Sequence, residues 1–447
     1  MSSGRVPPKD KYNVTYWCYL FMGLGLLLPW NAFITAVDYF TALYPGQHVD
    51  RVIPVAYNVP NLLAMSATLP FSQSLGARLR IILGFSGFLA ATIAIPVIDA
   101  IMLGGSREGT SSTYAITLFF AALLGASDGV AQGSLFGAAG CLPAKYTQAV
   151  CSGTSWSGLV VSMLRIVTKA ALPTTPAGLR SSAFLYFEIA SVIVALCIII
   201  DGVVIPRLSV VRHFKACGPG APSSDSAAWR KKGDAFVTSQ SSDGAGAVSA
   251  TDTAEIEMVA LEDVTGNEEG GMALLNSGPQ KPQLEFRDYL AVVQHMKLEA
   301  VSLVIIYWVT LAIFPGFLAE DVHSEEIGDW YPILLITAYN FGDVAGKCGP
   351  LVFPFFQPRL VLLLSAVRFV FVPAFYFASV YVAPAWVIGL LTLALGATNG
   401  HLTACAMMSA PRGLDQVKAE LSGILSALFL VVGITIGAFS GYVWGVV

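Results

Sequence analysis

Residues 14–37 read VTYWCYLFMGLGLLLPWNAFITAV, a run without one Asp, Glu, Lys or Arg. A helix rises about 1.5 Å per residue, so roughly 20 apolar residues cross the ~30 Å hydrocarbon core of a bilayer. The run has that length. It exceeds the apolar core of a signal peptide and no small-residue cleavage site follows it, so it is expected to stay as a transmembrane helix. Inside it, Pro29-Trp30-Asn31 removes a helix hydrogen bond and is expected to kink the axis. Trp30 then serves either as a flat face for a ring-shaped solute or as an interfacial anchor.

Comparable blocks follow at about 52–74, 81–103, 113–140, 147–172 and 182–205, each closed by polar residues, Gly or Pro. Between 206 and 294 the composition turns to Ser, Gly, Ala and acidic residues. Such a stretch buries too little apolar surface to offset its ordering entropy. Apolar blocks resume at about 296–319, 329–351, 359–380, 384–409 and 419–445. The expectation is an all-α integral membrane protein with 11 transmembrane helices. Residues 1–205 form a six-helix bundle, 206–294 a largely disordered cytoplasmic loop, and 295–447 a five-helix bundle.

The composition agrees with that pattern and excludes others. The 447 residues are 55% hydrophobic and 12% charged, with a mean hydropathy of +0.67. A soluble domain of ordinary composition is about 25% charged. A net charge of −4 gives no basic face for nucleic acid. Seven scattered cysteines have neither metal nor disulfide-framework spacing. There is no Walker sequence, His-Glu-x2-His or nucleophile elbow, so no enzyme, no ATP-driven pump, no metal and no cofactor is expected.

Orientation follows from Lys and Arg in the connections. One side holds Arg5, Lys9 and Lys11, then Arg78 and Arg80, Lys145, the group from Arg207 to Lys232, and later Arg359, Arg412 and Lys418. The other holds only Arg51, Arg107, Arg180 and Lys169, beside the acidic set Glu320, Asp321, Glu325, Glu326 and Asp329. This predicts the amino terminus in the cytoplasm and the carboxyl terminus outside.

A charge at the bilayer centre costs at least about 2.5–3.5 kcal/mol, which makes intramembrane ionisable groups candidates for function. They are Asp128, Arg165, Asp343, Lys347, Arg368 and His401, with Asn31, Asn58, Asn61, Gln132, Asn340 and Asn399 as further polar groups. Asp343 and Lys347 are four apart on one helical face and can pair. They serve either as acceptors and donors for a hydroxyl-rich solute or as an ion pair that fixes packing. A lone arginine such as Arg165 or Arg368 more often ties helices together or gates than binds solute, and His401 reads as a packed core histidine. Gln132 follows Asp128 by four. Its amide presents an acceptor beside a donor, the pattern that a nucleobase edge matches, or else an inter-helix bond at a small-residue contact. Asp128 is a candidate for proton coupling, unless a cation pairs with it. Met65 alone reads as ordinary packing.

Together these stretches resemble a family. Leu28-Pro29-Trp30-Asn31, the run Gln132-Gly133-Ser134-Leu135-Phe136-Gly137 followed by Leu142-Pro143-Ala144, and Asn340 with Asp343-x2-Gly346 are similar to the equilibrative nucleoside transporters. So are Arg368-Phe369-Val370-Phe371-Val372-Pro373 and Thr398-Asn399-Gly400. The resemblance covers nearly the whole chain. It implies a major-facilitator-like arrangement of six and five helices that moves purine and pyrimidine nucleosides, such as adenosine and uridine, by alternating access. By matching positions it implies that Leu27, Trp30 and Met65 line the outer cavity, that Gln132 meets the base, that Asp343 with Lys347 meets the ribose, and that Asn340 lies in the wall of the binding cavity. Ile34, Phe314, Ile336 and Ile434 would form walls or gate. Lys347 stands where animal members usually carry arginine, and Asp128 where they usually carry a small residue.

The expected function is therefore a nucleoside carrier in the plasma or vacuolar membrane, its partners being the nucleoside, the lipid bilayer and, in a symport variant, protons. Two alternatives stand beside it: a carrier of another polar solute such as a sugar or nucleobase, and a receptor or scaffold that works through the long loop.

Overall fold

The computed structural model describes residues 8–72, 74–104, 108–173, 175–216, 284–314, 316–320, 322–353, 357–381 and 383–441. Every described element is a helix or helical turn. The first half of the chain contains α1 (Val14–Thr35), α2 (Val37–Leu43), α3 (Val49–Phe71), α4 (Ala77–Ile98), α5 (Ser111–Gly140), α6 (Ala144–Ala171) and α7 (Pro176–Ile199). Two short helices, α8 (Ser209–Ala216) and α9 (Phe286–His295), flank residues 217–283. The second half contains α10 (Lys297–Ile313), α11 (Gly316–Glu320), α12 (Tyr331–Cys348), α13 (Pro358–Val367), α14 (Phe371–Val380), α15 (Ala385–Ser409) and α16 (Gln416–Gly441).

Ten helical stretches among the described residues are long and apolar enough to cross a membrane, and they fall on ten of the expected blocks. The block at 329–351 forms α12, of 18 residues, but is not among the ten. Asn340, Asp343 and Lys347 lower its apolarity, so composition alone does not mark it as a span. Two other blocks are interrupted. The first ends its regular helix at Ile313 before α11, and the 3₁₀ turn Arg368–Val370 separates α13 from α14. Pro29 lies within α1, which continues as helix to Thr35.

The expected loop at 206–294 is helical at both margins. In α9 the Glu285 and Asp288 side chains bond each other's backbone amides, a reciprocal cap that starts the helix. Residues 217–283, with Arg230, Lys231 and Lys232, lie outside the described residues, as do Arg5, Arg107 and Asp321.

α1 packs on α6 and α3 on α5; in the second half, α10 packs on α16 and α12 on α15. In lipid no hydrophobic force brings helices together, so close approach rests on small residues. Gly23 lies against the backbone of Val150, and Gly153 against the Leu20 carbonyl, so that a β-carbon at either glycine would strike the facing helix. Asp10 accepts from the backbone amides of Thr15 (3.0 Å) and Tyr16 (3.2 Å) and from Tyr146 Oη (3.2 Å). It thereby satisfies the open start of α1 and ties it to α6.

Candidate solute-binding site

Asp343 and Lys347 point inward from α12, 6% and 4% exposed. Their i, i+4 spacing brings Lys347 Nζ to 3.1 Å from Asp343 Oδ2. The pair is met from other helices. Ser155 on α6 donates to Asp343 Oδ2, and Asn399 Nδ2 on α15 donates to Oδ1 at 2.8 Å. Lys347 Nζ donates to Thr154 Oγ1 on α6 at 3.1 Å. Gln148 Nε2 donates to the Lys347 carbonyl at 2.8 Å, and Tyr16 Oη on α1 donates to Gln148 Oε1 at 3.0 Å. A buried ion pair is tolerable when further hydrogen bonds satisfy its remaining groups, and here those bonds come from both halves of the chain.

Arg368 anchors the far side of this network. Its Nη2 donates to Thr310 Oγ1 at 2.7 Å and to the Leu395 carbonyl at 3.3 Å, and Thr310 Oγ1 lies 2.9 Å from Asn399 Oδ1. Arg368 thus bonds to both α10 and α15. Arg165 bonds Asp38 at the start of α2 and does not join the Asp343 cluster. His401 lies against Gly349, on the α12–α15 contact.

A second polar cluster lies within the first half. Asp128 on α5, 2% exposed, accepts from Tyr57 Oη at 2.6 Å and Asn61 Nδ2 at 2.9 Å, both on Oδ2. Its Oδ1 has no hydrogen-bond partner, and among the described residues no cation pairs with it. The Trp30 ring stacks on Tyr57, centroids 3.8 Å apart and planes 12° apart. Gln132, one turn beyond Asp128, is buried. No described residue forms a hydrogen bond with its side chain, which leaves that amide unengaged.

Leu27, Trp30 and Ile34 are partly exposed on one face of α1, whereas Leu26, Leu28, Ala32 and Phe33 between them are buried. Ile336 and Asn340 on α12, Phe314 after α10 and Ile434 on α16 are likewise partly exposed. Asn340 Nδ2 donates to Ser162 Oγ on α6 at 2.7 Å, and Phe314 stacks on Tyr339 at 3.9 Å. Met65 differs from the other expected lining residues: it is wholly buried, its backbone against Gly129 and its sulfur against Gly133.

Where residues 205–216 and 284–295 lie, the two halves are clasped. Arg80 Nη2 at the start of α4 donates to Glu420 Oε1 on α16 at 2.6 Å. Tyr289 Oη on α9 donates to the Leu69 carbonyl at 3.3 Å, and Gln416 Nε2 to the Phe214 carbonyl at 3.0 Å. Burial there pulls the Arg412 guanidinium down to about 10, which leaves it cationic at neutral pH. At the opposite end Lys169 Nζ donates to the Asp329 carbonyl at 2.6 Å and lies over the Trp330 ring. Among the described residues no three His, Cys, Asp or Glu side chains converge as a metal site.

The sequence singles out Asp343, Lys347 and Asp128 but not their partners Tyr57, Ser155 and Thr154. A signal for one of them was present. Tyr57-Asn58-x2-Asn61 recurs as Tyr339-Asn340-x2-Asp343, and Gly125-Ala126-Ser127-Asp128-Gly129 recurs as Gly396-Ala397-Thr398-Asn399-Gly400.

Comparison with known proteins fits the geometry. The chain is 35% identical to equilibrative nucleotide transporter 1 of Arabidopsis thaliana, over 99% of this chain and 88% of that protein. It is 34% identical to equilibrative nucleotide transporter 8 of the same plant, over 98% and 97%. Among solved structures it is similar to a proton:xylose symporter of the major facilitator superfamily (TM-score 0.61, 11% identity, 98% of this chain and 89% of that one). It is also similar to the Escherichia coli fucose:proton symporter (TM-score 0.58, 10% identity, 98% and 92%). These likenesses establish the major-facilitator type of fold. The family described as nucleoside transporter matches residues 118–446, and with near full-length relatives at this level of identity, the chain belongs to the nucleoside transporter family.

Proposed function

We propose that the chain is a carrier for uncharged nucleosides, binding them between the helices of residues 1–205 and those of 295–447 and exposing the site to each side in turn. The observation that carries this reading is the Asp343–Lys347 pair, bonded at once by α6 of the first half and α15 of the second. A relative movement of the halves remakes those bonds, so a solute that takes them over is coupled to the movement. Asp343 supplies acceptors and Lys347 donors to ribose hydroxyls, and the unengaged Gln132 amide suits a base edge. Trp30, already stacked on Tyr57, offers its ring to the base.

The balance of charge favours a nucleoside over its phosphate. Of the buried cations near the seam, Lys347 is paired with Asp343 and Arg368 is bonded to Thr310 and the Leu395 carbonyl, so both are already engaged and neither stands ready for a phosphate group. In this reading α12 is the eighth span in chain order and brings the total to eleven, its polar residues facing the seam rather than lipid. The Arg80–Glu420 clasp closes the cytoplasmic side, with the amino terminus inside and the carboxyl terminus outside. The carrier sits in the plasma or vacuolar membrane.

The test is uptake of labelled adenosine by proteoliposomes holding the purified protein, challenged with uridine, adenine, AMP, xylose and fucose. Uridine is expected to compete, and AMP and the sugars are not. Competition by a sugar with none by uridine would replace this reading with a sugar carrier.

A further inference from the structure

The two polar clusters are copies of one arrangement. A β-carbon on Gly125 would meet the Tyr57 carbonyl, and one on Gly396 the Tyr339 carbonyl. Gly129 faces the Asn61 carbonyl and the Met65 amide; Gly400 faces the Asp343 carbonyl and the Lys347 amide. At these glycines the α3–α5 contact matches the α12–α15 contact position for position. Tyr57 corresponds to Tyr339, Asn61 to Asp343, Asp128 to Asn399, and Met65 to Lys347. The aromatic layer is repeated too, with Trp30 stacked on Tyr57 and Phe314 on Tyr339.

Within this repeat the carboxylate and the amide have changed places. Asn61 donates to Asp128, as Asn399 donates to Asp343. The cation did not follow. Lys347 balances Asp343 at 3.1 Å, whereas the matching position holds the thioether of Met65. We propose that Asp128 is a proton-binding site whose occupancy is linked to solute movement, so that the carrier is a proton symporter. This inference rests on the carrier reading.

The geometry suits a proton. Both donors, Tyr57 Oη and Asn61 Nδ2, converge on Oδ2, leaving Oδ1 without a hydrogen-bond partner. The titratable group facing Asp128 from α3 is Tyr57. Asp128 is the one charged residue of α5, and α1 contributes none. The charged residues of the other packed helices stand near helix ends or are paired elsewhere: Arg51 on α3, Arg78 and Arg80 on α4, Lys145 and Lys169 at the two ends of α6, Lys418 and Glu420 on α16, and Arg165 of α6, which is paired with Asp38. Arg80 and Glu420 are paired with each other. A proton on Oδ1 cancels the single uncompensated charge of the cluster. Its gain or loss changes what the first half presents to the second by one full charge, and that difference is what links an ion to a conformational equilibrium.

The experiment uses the full chain in proteoliposomes with labelled adenosine, an inward proton gradient of one pH unit and an internal pH dye. One proton per nucleoside supports about tenfold accumulation per pH unit, with adenosine-dependent acidification of the lumen. Asp128→Asn and Met65→Lys are expected to bring the accumulation ratio to about 1. Wild-type accumulation that never exceeds the outside concentration, or that follows a sodium gradient instead, overturns the proposal; so does a full gradient response in Asp128→Asn. The dye signal is read on the wild type, so a variant that fails to fold does not remove the test. Exchange of labelled for unlabelled adenosine at equal pH separates the two readings: exchange without gradient-driven accumulation defeats the symport alone, and no exchange defeats the carrier as well.

Discussion

In the second half of the chain Asp343 sits against an ammonium supplied one turn further along its own helix. In the first half Asp128 sits against a tyrosine and an amide supplied by a neighbouring helix. The two share the glycines that let the helices touch and the aromatic ring that covers the tyrosine. The difference teaches how a duplicated scaffold divides labour. Where the charge is balanced, the carboxylate is an acceptor that bridges both halves. Where it is unbalanced, the same scaffold carries the carboxylate we propose as the proton site.

The sharpest way to break this comparison is to remove the balancing cation. Lys347→Met gives the second half the arrangement of the first, with Asp343 buried without its partner. Loss of one member of a buried pair costs roughly 3–5 kcal/mol, so thermal unfolding in detergent is expected to move down clearly and uptake to be lost. The double variant Asp343→Asn with Lys347→Met removes both charges and is expected to regain most of the stability without regaining uptake. A loss below about 1 kcal/mol in Lys347→Met, against that expected for a broken buried pair, would mean that balance is not what distinguishes the two clusters.

Smaller effects sharpen it. Gly129→Ala and Gly400→Ala insert a methyl against matching backbone positions and should each cost about 1–3 kcal/mol by overpacking. Unequal losses in the two melting curves would show that the contacts are less alike than their geometry. Exchanging the pair in the first half, Asn61→Asp with Asp128→Asn, rebuilds the order of the second half. Its stability is expected to exceed the sum of the single changes by about 0.5–3 kcal/mol, the coupling usual for residues in contact, measured in a double-mutant cycle. The smallest effect is expected at the rings. Trp30→Ala loses stacking of about 0.5–1.5 kcal/mol, up to about a tenfold weaker apparent affinity for adenosine in the uptake assay. Phe314→Ala is the matching change in the second half.

Much of the fold was legible because a bilayer imposes a length on apolar runs. The blocks read from the chain coincide with the helices of the structure to within a few residues at most ends. The exception is instructive. α12 falls short in apolarity because it carries Asn340, Asp343 and Lys347, the polar side chains that make it part of the candidate site. Short helices such as α8 and α9 were invisible for the opposite reason, since eight or ten amphipathic residues beside a polar stretch do not stand out from it.

Within the site, the Asp343–Lys347 pair was readable because i and i+4 share a face on any helix. The partners Ser155, Asn399, Tyr57 and Asn61 were not, since they arrive from helices remote in sequence and meet the carboxylates only once each helix has taken its rotation about its own axis. The chain by itself determined that the protein is a bundle of apolar helices with a handful of charges inside. Burial of a charge is costly enough that residue type and run length reveal it. The tertiary structure alone decided which of those charges is compensated, because compensation acts over a few ångströms, and only the packing of α3 on α5 and of α12 on α15 sets those distances.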